Sequence, residues 1–242
     1  MPFLTDEENE KIKTAMMSLD LNEQPYEYDK KWGKTYTQKI VIEIFDNCGL
    51  TLTDDDMLIL GKEEKLTITK ASIFQFGETY LKRDHAESKH LLKFSLLCLL
   101  WGYASQNYRE YRIKKILAPS GAVEKLTNNT KATFELIKAQ DIQKIYQQWH
   151  GAQKIANLGE AFFTKIIFFL SKHCGDNYIL SIKDNFTSKA AAFLFDMPDL
   201  HRRSKRSFSR YIAALKYASS VSGYKIELIE QYLFTIRIPT SK

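Results

Sequence analysis

The sequence predicts an all-α protein, and three observations support this fold class. Apolar residues recur at intervals of three and four along almost the whole chain of 242 residues, which is the period of an amphipathic helix. The 10 glycines and 5 prolines fall mostly between the periodic segments, where they interrupt helices. Helix start signals occur at Thr53, Asp84 and Asp184, each of which precedes a segment typical of a first helical turn.

The periodic segments place the helices near residues 6–18, 36–48, 70–82, 86–104, 107–117, 131–138, 140–150, 160–173, 186–195, 203–221 and 225–234. Residues 22–33 and 118–130 are predicted to be loops. A hydrophobic content of 44% is enough for one buried core. We therefore expect a single two-lobed unit, with a cleft between the lobes.

Composition favours an anionic partner. The chain has 35 Lys and Arg against 29 Asp and Glu, a net charge of +6, and a pI near 9.0. Nucleic acid fits this balance, although simple solubility explains the charge equally well. Cys48, Cys98 and Cys174 are far apart and form no CxxC pattern, so neither a zinc site nor a disulfide framework is indicated. We expect a monomer in the prokaryotic cytoplasm, with no membrane partner.

One segment combines a turn glycine with a single lysine inside an apolar helix, namely Asn157 to Lys165 (NLGEAFFTK). Lys165 shares a predicted helix face with Phe162 and Phe169, so its stem should be buried. Burial disfavours an ammonium ion, which makes such a lysine a candidate nucleophile if a nearby group accepts its proton. Asp184, at the start of the next predicted helix, is the candidate for that group.

Both residues also have an ordinary structural interpretation. Lys165 could extend its ammonium group to the surface from a partly buried helix. Asp184 could be a simple N-cap. The two lie 19 positions apart, which leaves room for a helix to end and for an extended segment to return past it.

The segment Leu158 to Lys165 (LGEAFFTK), followed by Ile179 to Asp184 (ILSIKD), resembles the helix-hairpin-helix DNA glycosylases. The resemblance is to their small prokaryotic branch, which is similar to 8-oxoguanine glycosylases and has the OGG fold. It is clearest over residues 150–235. It implies that residues 101–242 carry the hairpin and the catalytic residues, that residues 1–100 form an N-terminal helical lobe, and that DNA binds between the lobes.

The resemblance also implies a chemistry. Lys165 would attack C1′ of an extruded nucleotide and displace its base, while Asp184 would activate the lysine and stabilise the developing positive charge. The hairpin at Gly159 would offer backbone N–H groups to a DNA phosphate. Backbone carbonyls from Ile155 to Gly159 would hold an alkali cation; no other cofactor, and no metal bound by side chains, is expected.

The hairpin departs from the usual family pattern. Leu158 and Ala161 occupy positions where proline and a second glycine are usual, and Lys165 comes later in its helix. The later lysine favours base excision over strand cleavage. The unusual hairpin and N-terminal third favour a specialised substrate, a glucosylated hydroxymethylcytosine of phage DNA removed in antiviral defence. An 8-oxoguanine repair glycosylase with lyase activity and a non-enzymatic helical DNA-binding protein are the alternatives.

A basic segment from Leu200 to Arg210 contains five Lys or Arg and no acidic residue. Arg203, Arg206 and Arg210 fall on one predicted helix face. We expect this face to contact DNA phosphates, with a solvated helix face as the alternative.

The segment from Trp101 to Arg109 resembles the place where these glycosylases insert a loop into the duplex. Gln106 or Asn107 would fill the gap left by the extruded base, and Arg109 and Arg112 would hold phosphates or the unpaired partner base. Trp101 would line the base pocket, with a core position as the alternative.

The C-terminal segment Ile229 to Phe234 resembles the family's final helix, which lends side chains to the base pocket. Glu230 would accept hydrogen bonds from a base edge, and Phe234 would stack on the face of the base. Phe162, beside Lys165, would complete the pocket. Aromatic residues at helical spacing are also common in ordinary cores.

Overall fold

A computed structural model of the protein describes residues 3–19, 21, 34–61, 64–81, 87–102, 109–175 and 180–236. Its elements are α1 (Asp6–Met17), β1 (Lys34–Thr37), α2 (Gln38–Asp46), α3 (Asp54–Leu60), β2 (Lys65–Ile68), α4 (Lys70–Tyr80), α5 (Ser88–Gly102), α6 (Arg109–Leu117), α7 (Ala122–Lys138), α8 (Ile142–His150), α9 (Glu160–Lys172), α10 (Asn185–Leu194), a 3₁₀ helix (Pro198–His201), α11 (Lys205–Ser222) and α12 (Ile226–Thr235). Helices dominate the described residues, so the predicted all-α class is confirmed.

Helix α7 corrects one prediction. The sequence predicts a loop over residues 118–130, but the helix already begins at Ala122. Its weak helix formers gain partners from elsewhere in the fold: the Asn129 side-chain amide donates to the carbonyl of Gln153 at 3.0 Å, and the hydroxyls of Thr130 and Ser95 lie 2.7 Å apart. Tertiary contacts therefore override low local propensity here. The other predicted loop, residues 22–33, lies outside the described residues, as does Asp84.

Two short strands are absent from the sequence prediction. They pair antiparallel, with Lys34 opposite Ile68 and Thr37 opposite Lys65. Each has four residues of alternating burial, which is too short a pattern to distinguish from a helix end. The helix predicted from residue 36 consequently starts at Gln38. Helix α3 is also missing from the prediction, although its N-cap Thr53 is a recognisable start signal.

Helix α5 lies at the centre of the core. Every residue from Leu91 to Trp101 is buried, as expected for a helix surrounded by other elements. It packs against α4, α7 and α9 and against β2. The one cation in this buried run, Lys93, has its Nζ 2.5 Å from a carboxylate oxygen of Asp56. The hydroxyl of Tyr36 in β1 donates to the carbonyl of Leu100 at 2.5 Å, which ties the strand pair to the C-terminal end of α5.

The remaining helices assemble around α9 and α11. Helix α9 contacts α4, α5 and α7, whereas α11 contacts α8, α12 and the N-terminal helix α1. Arg210 on α11 forms ion pairs with Glu8 of α1 and with Asp199. The division into lobes at residue 100 stays a prediction. None of the helices in the described ranges has the length and apolar character required to span a membrane.

We expect Gly77→Ala to destabilise the protein, although alanine is normally the better helix former. A Cβ at Gly77 would lie 2.0 Å from Nε2 of His173, whose ring is buried against Phe74 and Phe94. Overpacking of this kind costs about 1–3 kcal/mol. Thermal or urea unfolding measures the loss. Ser220→Ala, at an exposed position within α11, is the control for placing alanine in a helix. Equal stability of the two variants would contradict the prediction.

Candidate active site

Lys165 lies in the middle of α9, with its side chain half-buried. Its Nζ donates to the carbonyl of Gly102 at 2.9 Å and lies 5.0 Å from the centre of the Phe162 ring. Gly102 is the last residue of α5, so the ammonium group sits at the negative end of a helix. Lysine and carbonyl come from positions 63 residues apart.

Gly102 makes room for this arrangement. A Cβ there would lie 3.1 Å from Cδ of Lys165 and 3.4 Å from Cδ1 of Phe162. Only a residue without a side chain allows the lysine stem to pass this close to the backbone without adjustment. The sequence does not single out Gly102, because nothing local indicates that its carbonyl would receive a distant lysine.

The environment of Lys165 lowers the pKa of its ammonium group. Burial is the largest cause, and the charge of Lys34 acts in the same direction, while the carboxylates of Asp184 and Glu230 oppose the shift. A lowered pKa increases the fraction of neutral amine at neutral pH. The neutral amine is the nucleophilic form.

Asp184 is the N-cap of α10. Its Oδ1 accepts hydrogen bonds from the backbone N–H groups of Phe186 and Thr187, both at 2.8 Å, and the Thr187 hydroxyl closes a capping box. Its carboxylate is farther from Lys165 Nζ than the 4.0 Å of an ion pair, yet its charge reaches the lysine. The structure therefore gives Asp184 both a capping position and an electrostatic effect on Lys165.

Adjacent residues bring these two side chains to the same region. The backbone N–H of Lys183 donates to the Thr164 hydroxyl at 3.3 Å, which joins the residue before Asp184 to the residue before Lys165. The Lys183 ammonium then donates to Oε1 of Glu160 and to the carbonyl of Arg202, both at 2.9 Å. These bonds hold the start of α10 against the first turns of α9.

The hairpin between α8 and α9 ends at Gly159, an exposed N-cap without a side chain. The backbone of Gly159 is extended (φ −82°, ψ 168°), whereas the left-handed turn residue is Asn157 (φ 65°). Leu158 and Ile155 are buried and anchor the turn. The free N–H groups at the start of α9 thus face a surface that a phosphate can approach.

Residues 20–234 match the family described as "Putative 8-oxoguanine DNA glycosylase OGG-like protein". The match covers most of the chain. The chain belongs to this OGG-like family. The resemblance found in residues 150–235 is thereby confirmed and extends toward the N-terminus. Membership supports DNA glycosylase activity in general and DNA as the substrate. Neither the curated proteins nor the solved structures contain a match.

In this OGG-like protein, the four residues expected to line a base pocket differ in how deeply they are buried. Glu230 is buried and accepts hydrogen bonds from the Ser181 hydroxyl at 2.5 Å and from the Ile182 N–H at 3.0 Å. Trp101 is buried, with its ring 5.2 Å from that of Phe169. Phe162 is half-buried beside Lys165, and the half-buried Phe234 lies on α12.

The residues expected to contact DNA are only partly brought together. Arg203 and Arg206 are exposed near the start of α11, whereas Arg210 points into the ion pairs with α1 and does not share their surface. Arg112 is exposed on α6. Arg109 begins α6, but its side chain lies outside the described part, as do Gln106 and Asn107.

Two buried lysines near the site lie at the start of β1 and just after β2. Lys34 begins β1, and its charge acts on Lys165. Lys70 begins α4 directly after β2, and its charge acts on Glu230. Its Nζ lies 5.7 Å from the ring centre of Trp101. Sequence reasoning missed both, because their positions depend on a sheet that it did not predict.

We expect the free energy of unfolding of Glu230→Gln to increase, relative to that of the unaltered protein, as pH rises. Burial raises the pKa of Glu230 above its ordinary 4.5, and the Lys70 charge only partly opposes this. The folded state therefore binds the proton more tightly than the unfolded state, and stability falls as pH rises through the folded pKa. Glutamine does not titrate. Thermal unfolding below pH 4.5 and at neutral pH measures the change, with exposed Glu64→Gln as the control for a lost charge. Parallel pH profiles for Glu230→Gln and the unaltered protein would refute the prediction.

Proposed function

We propose that this protein is a DNA glycosylase that extrudes a modified base and cleaves its N-glycosidic bond, with Lys165 as nucleophile and Asp184 as its partner. The observation that carries the proposal is the half-buried Lys165, with a lowered pKa and a carboxylate acting on it, in a chain of the OGG-like family. Lysine nucleophiles are typically activated by such desolvation.

The chemical step uses the neutral amine. Its lone pair forms a bond to C1′ as the bond from C1′ to the base nitrogen breaks, and the base leaves with that electron pair and takes up a proton. Asp184 stabilises the positive charge that develops on the sugar. Loss of a proton and opening of the sugar ring give an imine, and water hydrolyses the imine to an abasic site. The alternative is that Asp184 directs a water molecule to C1′, which leaves an abasic site without a covalent intermediate.

The hydrogen bond to Gly102 holds Lys165 without blocking the reaction. The amine must leave this carbonyl to reach a sugar. A single hydrogen bond contributes about 0.5–1.5 kcal/mol net, or about 1.5–3 kcal/mol when one partner is charged. This cost is small beside the reduction of about 8 kcal/mol or more that enzymes achieve in a reaction barrier. Asp184 keeps its position throughout, because its capping bonds use the backbone of α10.

For the substrate we favour a glucosylated hydroxymethylcytosine of phage DNA, with a role in antiviral defence. The unusual hairpin sequence and the unusual N-terminal third, in which Lys34 lies close enough for its charge to act on Lys165, support a specialised base over a common repair substrate. The name of the family supports the second candidate, 8-oxoguanine excision with lyase activity. A non-enzymatic DNA-binding protein is the third.

We further propose an alkali cation at the hairpin. Hard cations take oxygen ligands, and a turn of backbone carbonyls supplies them. The residues fit this role: the carbonyls of Ala156, Asn157 and Leu158 accept no backbone hydrogen bond within the described ranges. A cation there would fix the turn and add positive charge where a phosphate approaches.

We expect the protein to produce abasic sites in glucosylated phage DNA and to be trapped on it by borohydride. Lys165→Gln should abolish trapping and slow excision by at least about 1,000-fold, since the nucleophile is removed. Asp184→Asn should slow excision without unfolding the protein, because asparagine is as good an N-cap as aspartate. Unmodified DNA and DNA containing 8-oxoguanine complete the set of substrates.

The outcomes separate the candidates. Excision of 8-oxoguanine alone would eliminate the antiviral substrate. Salt-sensitive binding with no abasic product on any DNA would favour the non-enzymatic protein. Excision that is undiminished in both variants would eliminate the lysine mechanism.

We expect the double variant Arg203→Gln/Arg206→Gln to bind duplex DNA with a weaker salt dependence. Each arginine that neutralises a phosphate contributes about 0.9 to the slope of log K against log salt, so the double variant should have a slope smaller by about 2. Lys131→Gln, an exposed lysine on α7, is the control. If the double variant and the control have the same slope, these arginines do not bind DNA.

We expect replacement of potassium or sodium by choline, at constant ionic strength, to weaken DNA binding several-fold, because choline is too large for a carbonyl turn. Fluorescence anisotropy of labelled duplex DNA measures this. Binding that is independent of the cation would remove the proposed hairpin site.

A further inference from the structure

Phe186 is a large apolar side chain that the fold leaves in water. It is the second residue of α10, and 66% of it is exposed. Single exposed apolar residues are common and need no explanation by themselves. Phe186 differs because its ring lies 5.8 Å from that of Phe234, with 53° between their planes. The two residues belong to different helices, so α10 and α12 jointly present an aromatic pair at the surface.

The aromatic pair lies next to the proposed catalytic carboxylate. The backbone N–H of Phe186 donates to Oδ1 of Asp184 at 2.8 Å, which holds the Phe186 backbone beside that carboxylate. Phe234 lies one helical turn beyond Glu230, which holds the segment leading to Asp184. A nucleotide whose sugar reaches Asp184 therefore meets the start of α10, the helical turn that carries Phe186.

Exposed cations lie on the α10 side of the pair, whereas the acidic residues of α12, Glu227 and Glu230, form bonds to Lys172 and Ser181. Helix α10 contains no acidic residue, and its Lys189 is exposed. The 3₁₀ helix packs against α10 and leads directly into Arg202 and Arg203, both exposed. Aromatic rings bordered by cationic side chains are the arrangement that proteins use to bind unpaired nucleotides, with bases on the rings and phosphates at the cations.

We propose that Phe186 is a further base-stacking residue at the mouth of the site. It extends the stack that the family resemblance implies for Phe234 into a two-ring platform for an unpaired nucleobase. The proposal rests on the proposed glycosylase function and adds to it a preference for bases that are already unpaired. The platform receives a base that has left the duplex, and it favours DNA in which that base is already unpaired. Phe186 then determines how tightly a single-stranded or extruded nucleotide is held before the chemistry.

The test compares two phenylalanines on one helix. Phe193 is also on α10 and is 58% exposed, but it lies about two and a half turns beyond Asp184. Phe186→Ala, Phe193→Ala and Phe186→Trp are titrated with a single-stranded oligonucleotide that carries one 2-aminopurine, and with the duplex of the same sequence. Since both side chains are exposed, the alanine variants should unfold at the same temperature as the unaltered protein.

We expect Phe186→Ala to weaken single-strand binding by about 5- to 150-fold and to lose the quenching of 2-aminopurine that stacking causes. Phe193→Ala should bind like the unaltered protein, and Phe186→Trp should retain binding and quenching. Equal affinities for the two alanine variants, whether both unchanged or both reduced, would contradict the proposal. The rings would then be a candidate contact surface for another protein.

Excision is assayed separately, so that the two proposals fail independently. Excision together with single-strand binding that does not depend on Phe186 removes this inference alone. Binding that depends on Phe186 without excision removes only the glycosylase proposal. Absence of DNA binding removes both.

Discussion

The site depends on how the extended segment 180–184 is held in the interior, where side chains rather than a neighbouring strand provide its hydrogen bonds. Buried backbone groups need such partners. The Leu180 N–H donates to the Ser171 hydroxyl, the Ile182 N–H donates to Glu230, and the Ile182 carbonyl accepts from Tyr211. The segment is thereby fixed between α9, α11 and α12. Its last residue, Asp184, starts α10 at a position set by all three helices.

Two lysines, the half-buried Lys165 and the buried Lys183, show how surroundings separate structural from chemical roles. Burial lowers the pKa of both Lys165 and Lys183. The Lys183 ammonium forms an ion pair with Glu160 at 2.9 Å, which offsets the cost of burying its charge. This ion pair holds the segment 180–184 in place. Within the described residues, Lys165 donates to a carbonyl alone, and the opposing carboxylate charges act on it through space. The same residue type is therefore a structural clamp in one position and a candidate nucleophile in the other.

The N-terminal strand pair links the rest of the chain to this site. Tyr36 anchors β1 to the end of α5, where Gly102 receives Lys165. The same anchoring brings Lys34 close enough for its charge to act on Lys165. Because a nearby buried cation disfavours protonation of Lys165, the strand pair contributes to the reactivity of a lysine on a distant helix. A segment that is a minor part of the fold thus has a direct electrostatic effect at the proposed site.

Most helices, the N-cap at Asp184 and the lysine among phenylalanines in α9 could be predicted from the chain alone, because periodicity and capping act within a few turns. Packing was needed for the rest. Tertiary contacts stabilise the helix over residues 122–130 and direct Arg210 into an ion pair with α1. They also place Glu230 where it binds the segment before Asp184. Packing also supplied the carbonyl that holds Lys165. Each of these outcomes depends on partners far away in sequence, and such partners are fixed only when the helices come together.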